Sequence, residues 1–169
     1  MKFIPKNPNG DFLISLAKKE DTPACAILLR EAFAGEAEKF GLNDLPRHPS
    51  KIRSEELEAD LKSGLLLYVC KRGSQIVGTL EIFNDTRRDV AELRMLAVDE
   101  EFRGIGIGRG LLDFAAYKAK SLKATKLSIG IIEEKVGQKN WWEKSGFQAM
   151  GVLKLDGMAF SICFMERQL

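Results

Sequence analysis

The chain is poor in several groups around which proteins commonly build chemistry. Its 169 residues hold one histidine, three cysteines and two tyrosines, and the formal net charge is only +2. Lysines and arginines are scattered, so charge supplies no footprint for nucleic acid or for a membrane surface, and a neutral partner is the default expectation. Cys25, Cys70 and Cys163 are odd in number, far apart and each set in an apolar segment. That pattern favours reduced, buried thiols over a disulfide framework or a metal site, and with them a cytoplasmic setting. No long apolar run opens the sequence: Pro5, Asn7, Pro8 and Asn9 interrupt MKFIPKNPNGD, which reads as neither signal peptide nor membrane span. Internal repeats and low-complexity tails are also missing. What is present, 45% apolar and 30% charged residues, suits a single domain over 1–169 with a sizeable core.

Periodicity orders the elements. Phe12 to Ala17 reads as a first strand, and Thr22-Pro23 as the cap and first turn of a helix whose Cys25, Leu28, Leu29, Ala32 and Phe33 repeat at helical spacing. Gly35 to Arg53 lacks periodicity and predicts a long connection with a partial helix near Ala37. Ser54 can cap a short helix closed by Gly64. Leu65 to Cys70 and Gln75 to Asn84 form a hairpin, and Val90 to Val98 is the next strand. Leu111, Leu112, Ala115, Ala119 and Leu122 mark a helix, Lys126 to Ile132 a strand, and Gly137 to Lys144 a short helix ended by Gly146. Two strands, Phe147 to Leu155 and Met158 to Arg167, turn at Asp156-Gly157. The sum is a mixed α/β sheet, antiparallel early and late, with one crossover helix.

The most informative stretch is AELRMLAVDEEFRGIGIGRGLL, from Ala91 to Leu112. A strand runs into a loop with glycine at 104, 106 and 108, and then into a helix. Glycines there let backbone N–H groups converge on one point at the positive end of the helix dipole, which suits a phosphate or pyrophosphate. Arg103 and Arg109 flank the loop and can add charge-assisted hydrogen bonds. A P-loop is excluded because no Gly-Lys-Ser or Gly-Lys-Thr follows. The dinucleotide GxGxxG pattern is excluded because Arg stands at 109 and Leu at 111.

The series Arg103-x-x-Gly106-x-Gly108, between Leu96-Ala97-Val98 and Leu111-Leu112, resembles the acetyl-CoA signature of GNAT-type N-acetyltransferases. Downstream, Trp142-Glu143-Lys144-Ser145-Gly146-Phe147 is similar to the Tyr-Glu-Lys-x-Gly-Phe segment of that superfamily. The resemblance covers nearly the whole chain from Ile14 onward. It implies a mostly antiparallel sheet of about seven strands flanked by about four helices, with a splayed strand pair that admits the pantetheine arm of CoA as a substitute strand. It implies acetyl-CoA as co-substrate, no metal, and cofactor contacts from Leu96, Ala97, Val98, Arg103, Gly104, Ile105, Gly106, Ile107, Gly108, Arg109, Asn140 and Trp142. The acceptor implied is a primary amine of a small molecule or of a protein, reached by direct transfer. By analogy with the family, exposed sheet edges also allow a homodimer.

Transfer of acetyl to an amine needs a group to take the proton from nitrogen and a means of stabilising the departing thiolate. Strand alternation puts Glu92 on one face with Arg94, Leu96 and Val98, and the resemblance implies a glutamate base there. The alternative for Glu92 is pairing with Arg94 or solvent. Trp142 departs from the family tyrosine: an indole N–H donates a hydrogen bond but does not ionise usefully. That departure motivates a rival reading as a CoA-binding regulatory or weakly active protein; transfer of another acyl group is a third. Asn140 reads equally as a surface residue. Glu133 and Glu134 suit a helix amino terminus better than amine capture, His48 a solvated loop, and Tyr68 and Phe83 sheet packing.

Overall fold

A computed structural model describes residues 12–42, 45–154 and 156–169. The opening segment, Asn43 and the expected strand end at Leu155 lie outside the described residues. Seven strands form one sheet: β1 (Phe12–Leu16), β2 (Leu66–Arg72), β3 (Gln75–Asp85), β4 (Val90–Val98), β5 (Lys126–Ile132), β6 (Gln148–Lys154) and β7 (Ser161–Gln168), in the spatial order β1-β2-β3-β4-β5-β7-β6. Among the described residues four α-helices accompany it: α1 (Thr22–Phe40), α2 (Ser54–Lys62), α3 (Ile107–Ser121) and α4 (Val136–Lys144). All neighbours are antiparallel except β4 and β5. That parallel pair is bridged by α3, because parallel strands require a crossover. No helix among the described residues is long and apolar enough to cross a membrane.

Two local departures from regular structure shape the sheet around the site. In β4, Met95 takes a left-handed φ of 49°, and the β3 register slips between Thr79 and Glu81. This is a β-bulge, and the hydroxyl of the wholly buried Thr79 donates to the displaced Met95 carbonyl at 2.9 Å. The second departure is a parting of strands. β4 pairs with β5 only through Val90–Lys126, Ala91–Leu127 and Glu92–Ser128. Beyond Glu92 the two strands separate, as the splayed pair was expected to.

The bulge also corrects the expected alternation. Glu81 lies opposite both Leu67 and Arg94, so Arg94, and Glu92 two residues before it, face the α1–α2 side. After the bulge, Leu96 and Val98 pack with Leu93 on the α3 side. Glu92 therefore shares its face with Arg94 but not with Leu96 or Val98. One extra residue reverses every side chain after it.

The expected connection from Gly35 is also corrected, because α1 runs through Gly35 and ends only at Gly41, whose φ of 66° and N–H to the Ala37 carbonyl close it. Ala37 and Phe40 are buried with Ile132 and Phe160, the two phenylalanine rings meeting edge to face at 6.2 Å. Burial of that last turn outweighs the cost of about 1 kcal/mol for a helical glycine. The extension matters because it carries Glu36. On the other side of the sheet, α3 packs closely at Gly78, where a Cβ would lie 3.0 Å from Leu111 Cδ1 and 3.2 Å from the Ala97 carbonyl. The three cysteines are buried and unbridged, and burial pushes the Cys25 thiol up to about 12.

Candidate functional site

Two cavities open from the gap between β4 and β5. The first, of about 640 Å³, is lined by Leu96, Ala97 and Val98, by the turn carrying Arg103, Gly104, Gly106, Gly108 and Arg109, and by Trp142. Gly104 and Gly106 have φ of 78° and 94°, a region open to glycine at little cost. Gly106 caps α3 without any side-chain acceptor, so the first N–H groups of the helix are not capped by the residue before them. Arg103 Nε donates to the Val98 carbonyl at 3.1 Å and ties the turn back to its strand. Arg109 spans toward Asp113, at 3.6 Å, and the Ser145 hydroxyl, at 3.5 Å.

Gly108 behaves differently from the other two. Its backbone is ordinary helix, and a Cβ there would meet only Trp141 and Val98 at 3.7 and 3.8 Å, an ordinary packing distance. Nothing in the protein requires glycine at this position; its bare surface faces the cavity.

Ile105 is half-exposed and Ile107 is buried in the core, so neither side chain joins the lining. Asn140 is exposed on α4, while Gln138 on the same helix lines both cavities. Periodicity carried no signal for Gln138.

The second cavity, of about 590 Å³, lies along β4, β5 and β7 and includes Glu36, His48, Glu92 and Trp142. Phe33, Glu36, Leu96, Gln138 and Trp142 line both cavities and form their junction. Glu36 was not singled out by the sequence because its helix was not expected to reach it. Its side chain is 13% exposed and pairs with Lys135, and His48 Nε2 stands 3.9 Å away. Burial tends to raise the Glu36 carboxyl, but His48 and Lys135 together outweigh it and hold it below the usual carboxylate range.

His48 is corrected from a solvated loop residue to a wall of this cavity. Its side chain is 10% exposed, its ring meets Phe33 edge to face at 6.1 Å, and Nδ1 accepts the Ser50 N–H at 3.3 Å. That acceptor role leaves the ring proton of neutral His48 on Nε2, facing Glu36. Both carboxylate oxygens of Glu92 accept from Arg94, which donates through Nε at 2.9 Å and through a terminal nitrogen at 3.1 Å. Pairing with Arg94, one of the two readings of Glu92, is thus realised. Arg94 also lies 4.4 Å over the Phe83 ring and 3.8 Å from Glu81, whose carboxyl, 4% exposed, is pushed up by burial. Phe83 is half-exposed and serves this stack as well as the sheet. Tyr68 is buried against Phe114 at 4.7 Å.

Trp142 is 2% exposed, packed edge to face on Phe147 at 4.9 Å and on Trp141 at 4.8 Å. Its Nε1 is buried and has no hydrogen-bond partner. A lone buried donor costs roughly 1–3 kcal/mol, and this one lies within the packing around the ring, although the ring itself lines both cavities. Glu133 and Glu134 do other work than expected: Glu133 pairs with Lys139, and both oxygens of Glu134 accept the Ser161 N–H at 3.0 Å. Among the described residues no group of three or more His, Cys, Asp or Glu could hold a metal ion.

Comparison with known proteins agrees with this geometry. The model of the acetyltransferase (GNAT) family matches residues 14–147. An uncharacterised N-acetyltransferase of Methanocaldococcus jannaschii is 30% identical over 92 residues, 52% of this chain and 41% of the relative; the chain thus spans well under half the length of that protein. The ribosomal-protein-alanine N-acetyltransferase of Brucella melitensis superposes with a TM-score of 0.72 at 25% identity, over 93% of this chain and 99% of the other. The PaiA N-acetyltransferase of Thermoplasma acidophilum, solved in complex with coenzyme A, superposes with a TM-score of 0.74 at 21% identity, over 94% and 99%.

Proposed function

The chain belongs to the acetyltransferase (GNAT) family, and from that premise we propose that it transfers acetyl from acetyl-CoA directly to a primary amine, with both substrates bound at once. The observation that carries this reading is the junction itself: a cavity beside a glycine turn at a helix start meets a second cavity at Phe33, Glu36, Leu96, Gln138 and Trp142. The pyrophosphate of CoA suits the backbone N–H groups of 104–109 and the positive end of α3. The pantetheine arm suits the unpaired edge of β4 near Leu96 and Val98. The Trp142 ring, which lines both cavities, would pack beside the thioester end of that arm.

In the reaction the nitrogen lone pair attacks the thioester carbonyl carbon, the C–S bond breaks with its electron pair on sulfur, and the amine loses one proton. That proton becomes acidic as the N–C bond forms, so a carboxylate can accept it. Glu36 is the better-placed acceptor, since it lines both cavities; Glu92 lines only the second and has both oxygens held by Arg94. His48 and Lys135 position Glu36.

The alternative, a CoA-binding regulatory or weakly active protein, rests on Trp142 being unable to supply a proton. One experiment separates the two. With acetyl-CoA and a broad amine panel, free thiol should be released well above the hydrolysis background; CoA binding in a calorimeter without release by any acceptor would favour the regulatory reading. Undetectable CoA binding would defeat both.

Gly108→Ala tests the anion site. Because a helical alanine is favoured by about 1 kcal/mol and the space for its methyl exists, the variant should melt no lower than the parent. CoA affinity should nevertheless fall, as the methyl intrudes where the ligand lies. Unchanged CoA affinity would remove Gly108 from the site.

A further inference from the structure

The second cavity is long, and its two ends differ. Ile132 on β5 lies near the junction, and Ser128 at the other end pairs with Glu92 on β4 and Glu166 on β7. Four residues of strand separate these levels, about 13 Å at ~3.3 Å per residue. The Ile132 end is apolar, where Leu42, Leu45, Met158, Phe160 and Ile162 cluster with Ile132 and Phe164 follows opposite Gly130, whereas Glu92 and Glu166 stand at the Ser128 level.

The charges on the lining are already committed. Glu36 is paired with Lys135, Glu92 takes two hydrogen bonds from Arg94, and Glu166 accepts from Lys126 at 2.9 Å. Among the described lining residues no carboxylate stands without a cationic partner. Arg88 and Arg94 also line the cavity and are paired in turn, Arg88 with Asp85 and Arg94 with Glu92 and Glu81, so these ion pairs leave no unpaired carboxylate to hold a second ammonium. A cavity of about 590 Å³ is within the range of roughly 300–1,000 Å³ that holds a whole small organic molecule.

We propose that the acceptor is a primary monoamine carried on an apolar body, of the arylalkyl or longer alkyl class, and that polyamines and aminoglycosides are poor acceptors. This rests on the acetyltransferase reading above. The amino group meets Glu36 and Trp142 at the junction, and the apolar body lies along β5 between Leu45 and Phe160. Each methylene withdrawn from water should raise kcat/KM about fourfold until the cavity is filled.

The test is thiol release by the full chain at saturating acetyl-CoA, with ethylamine through hexylamine, phenethylamine, spermidine and kanamycin as acceptors. Rising kcat/KM along the alkyl series, with phenethylamine far above spermidine and kanamycin, is the expected result. A flat or falling series, or spermidine preferred, overturns the proposal while leaving acetyl transfer intact. Calorimetric titration of phenethylamine into the CoA-loaded protein is read separately: binding without turnover would defeat the transfer reading but keep the apolar amine site, and no binding would defeat the site. Phe164→Glu, at an exposed position of the wall, should flatten the alkyl series and raise kcat/KM for spermidine. Unchanged ratios in that variant would also overturn the proposal.

Discussion

Glu36→Gln is expected to lower kcat by about 10²- to 10⁴-fold, the usual worth of a positioned base, and to lower the melting temperature at neutral pH as the ion pair with Lys135 is lost. The glutamine keeps the size of the side chain and can still accept from Lys135. Because His48 and Lys135 hold the Glu36 carboxyl below its ordinary range, it is ionised throughout neutral pH, and the parent rate should show no Glu36 titration there. The deficit of the variant should persist toward pH ~10, where alkylamines have lost their ammonium proton, because the proton that Glu36 takes is the one released as the N–C bond forms. A deficit that vanishes there would mean that Glu36 only deprotonates the incoming ammonium. Glu92→Gln is the companion measurement. Its carboxylate serves Arg94, so its loss should be smaller and should leave the pH profile in shape. A larger effect at Glu92 than at Glu36 would exchange their roles.

The folded state contributes to the same proton balance. A carboxyl with a lowered folded pKa stabilises the protein above its unfolded pKa, and that contribution disappears as pH falls through the folded value. The Glu36 contribution is therefore present at neutral pH and lost only in acid, below the ordinary glutamate value of 4.5.

The second large effect belongs to Trp142. Replacement by alanine should cost about 3–5 kcal/mol, as for other large core aromatics, because the ring is 2% exposed and seated between Trp141 and Phe147. Against a typical total of 5–15 kcal/mol, thermal unfolding should show the loss plainly. A small change would mean that the core closes around the missing ring. Smaller substitutions separate packing from chemistry. Trp142→Phe removes the unpartnered N–H together with part of the ring, so it should cost less stability than alanine and leave CoA affinity nearly unchanged. Trp142→Tyr brings in a hydroxyl that can ionise, and turnover should rise. No rise would show that the thiolate departs without an acid.

Much of the fold was legible because its signals are local. The limits of β4 and β5, the hairpins and the apolar face of α3 follow from periodicity, glycine and turn residues, which act within a few positions. The glycine turn before α3 was legible for the same reason, since its glycines, arginines and helix start are contiguous. What failed were features that depend on distant partners. Gly35 reads as a helix end, yet burial of Ala37 and Phe40 against Phe160 carries α1 past it. Alternation along β4 reads through Met95, yet the bulge there is stabilised from β3 by Thr79. His48 reads as solvated, yet α1 brings Phe33 and Glu36 against it.

By itself, then, the sequence determined the order of elements, the family and the glycine turn before α3, since these are written in contiguous residues and short-range sterics. Tertiary structure alone decided which carboxylates line the cavities and which apolar side chains gather along β5 and β7. Glu36 lies nearly a hundred residues from Lys135, and Leu45 more than a hundred from Phe160. Only long-range burial brings such pairs together, and no local pattern records it.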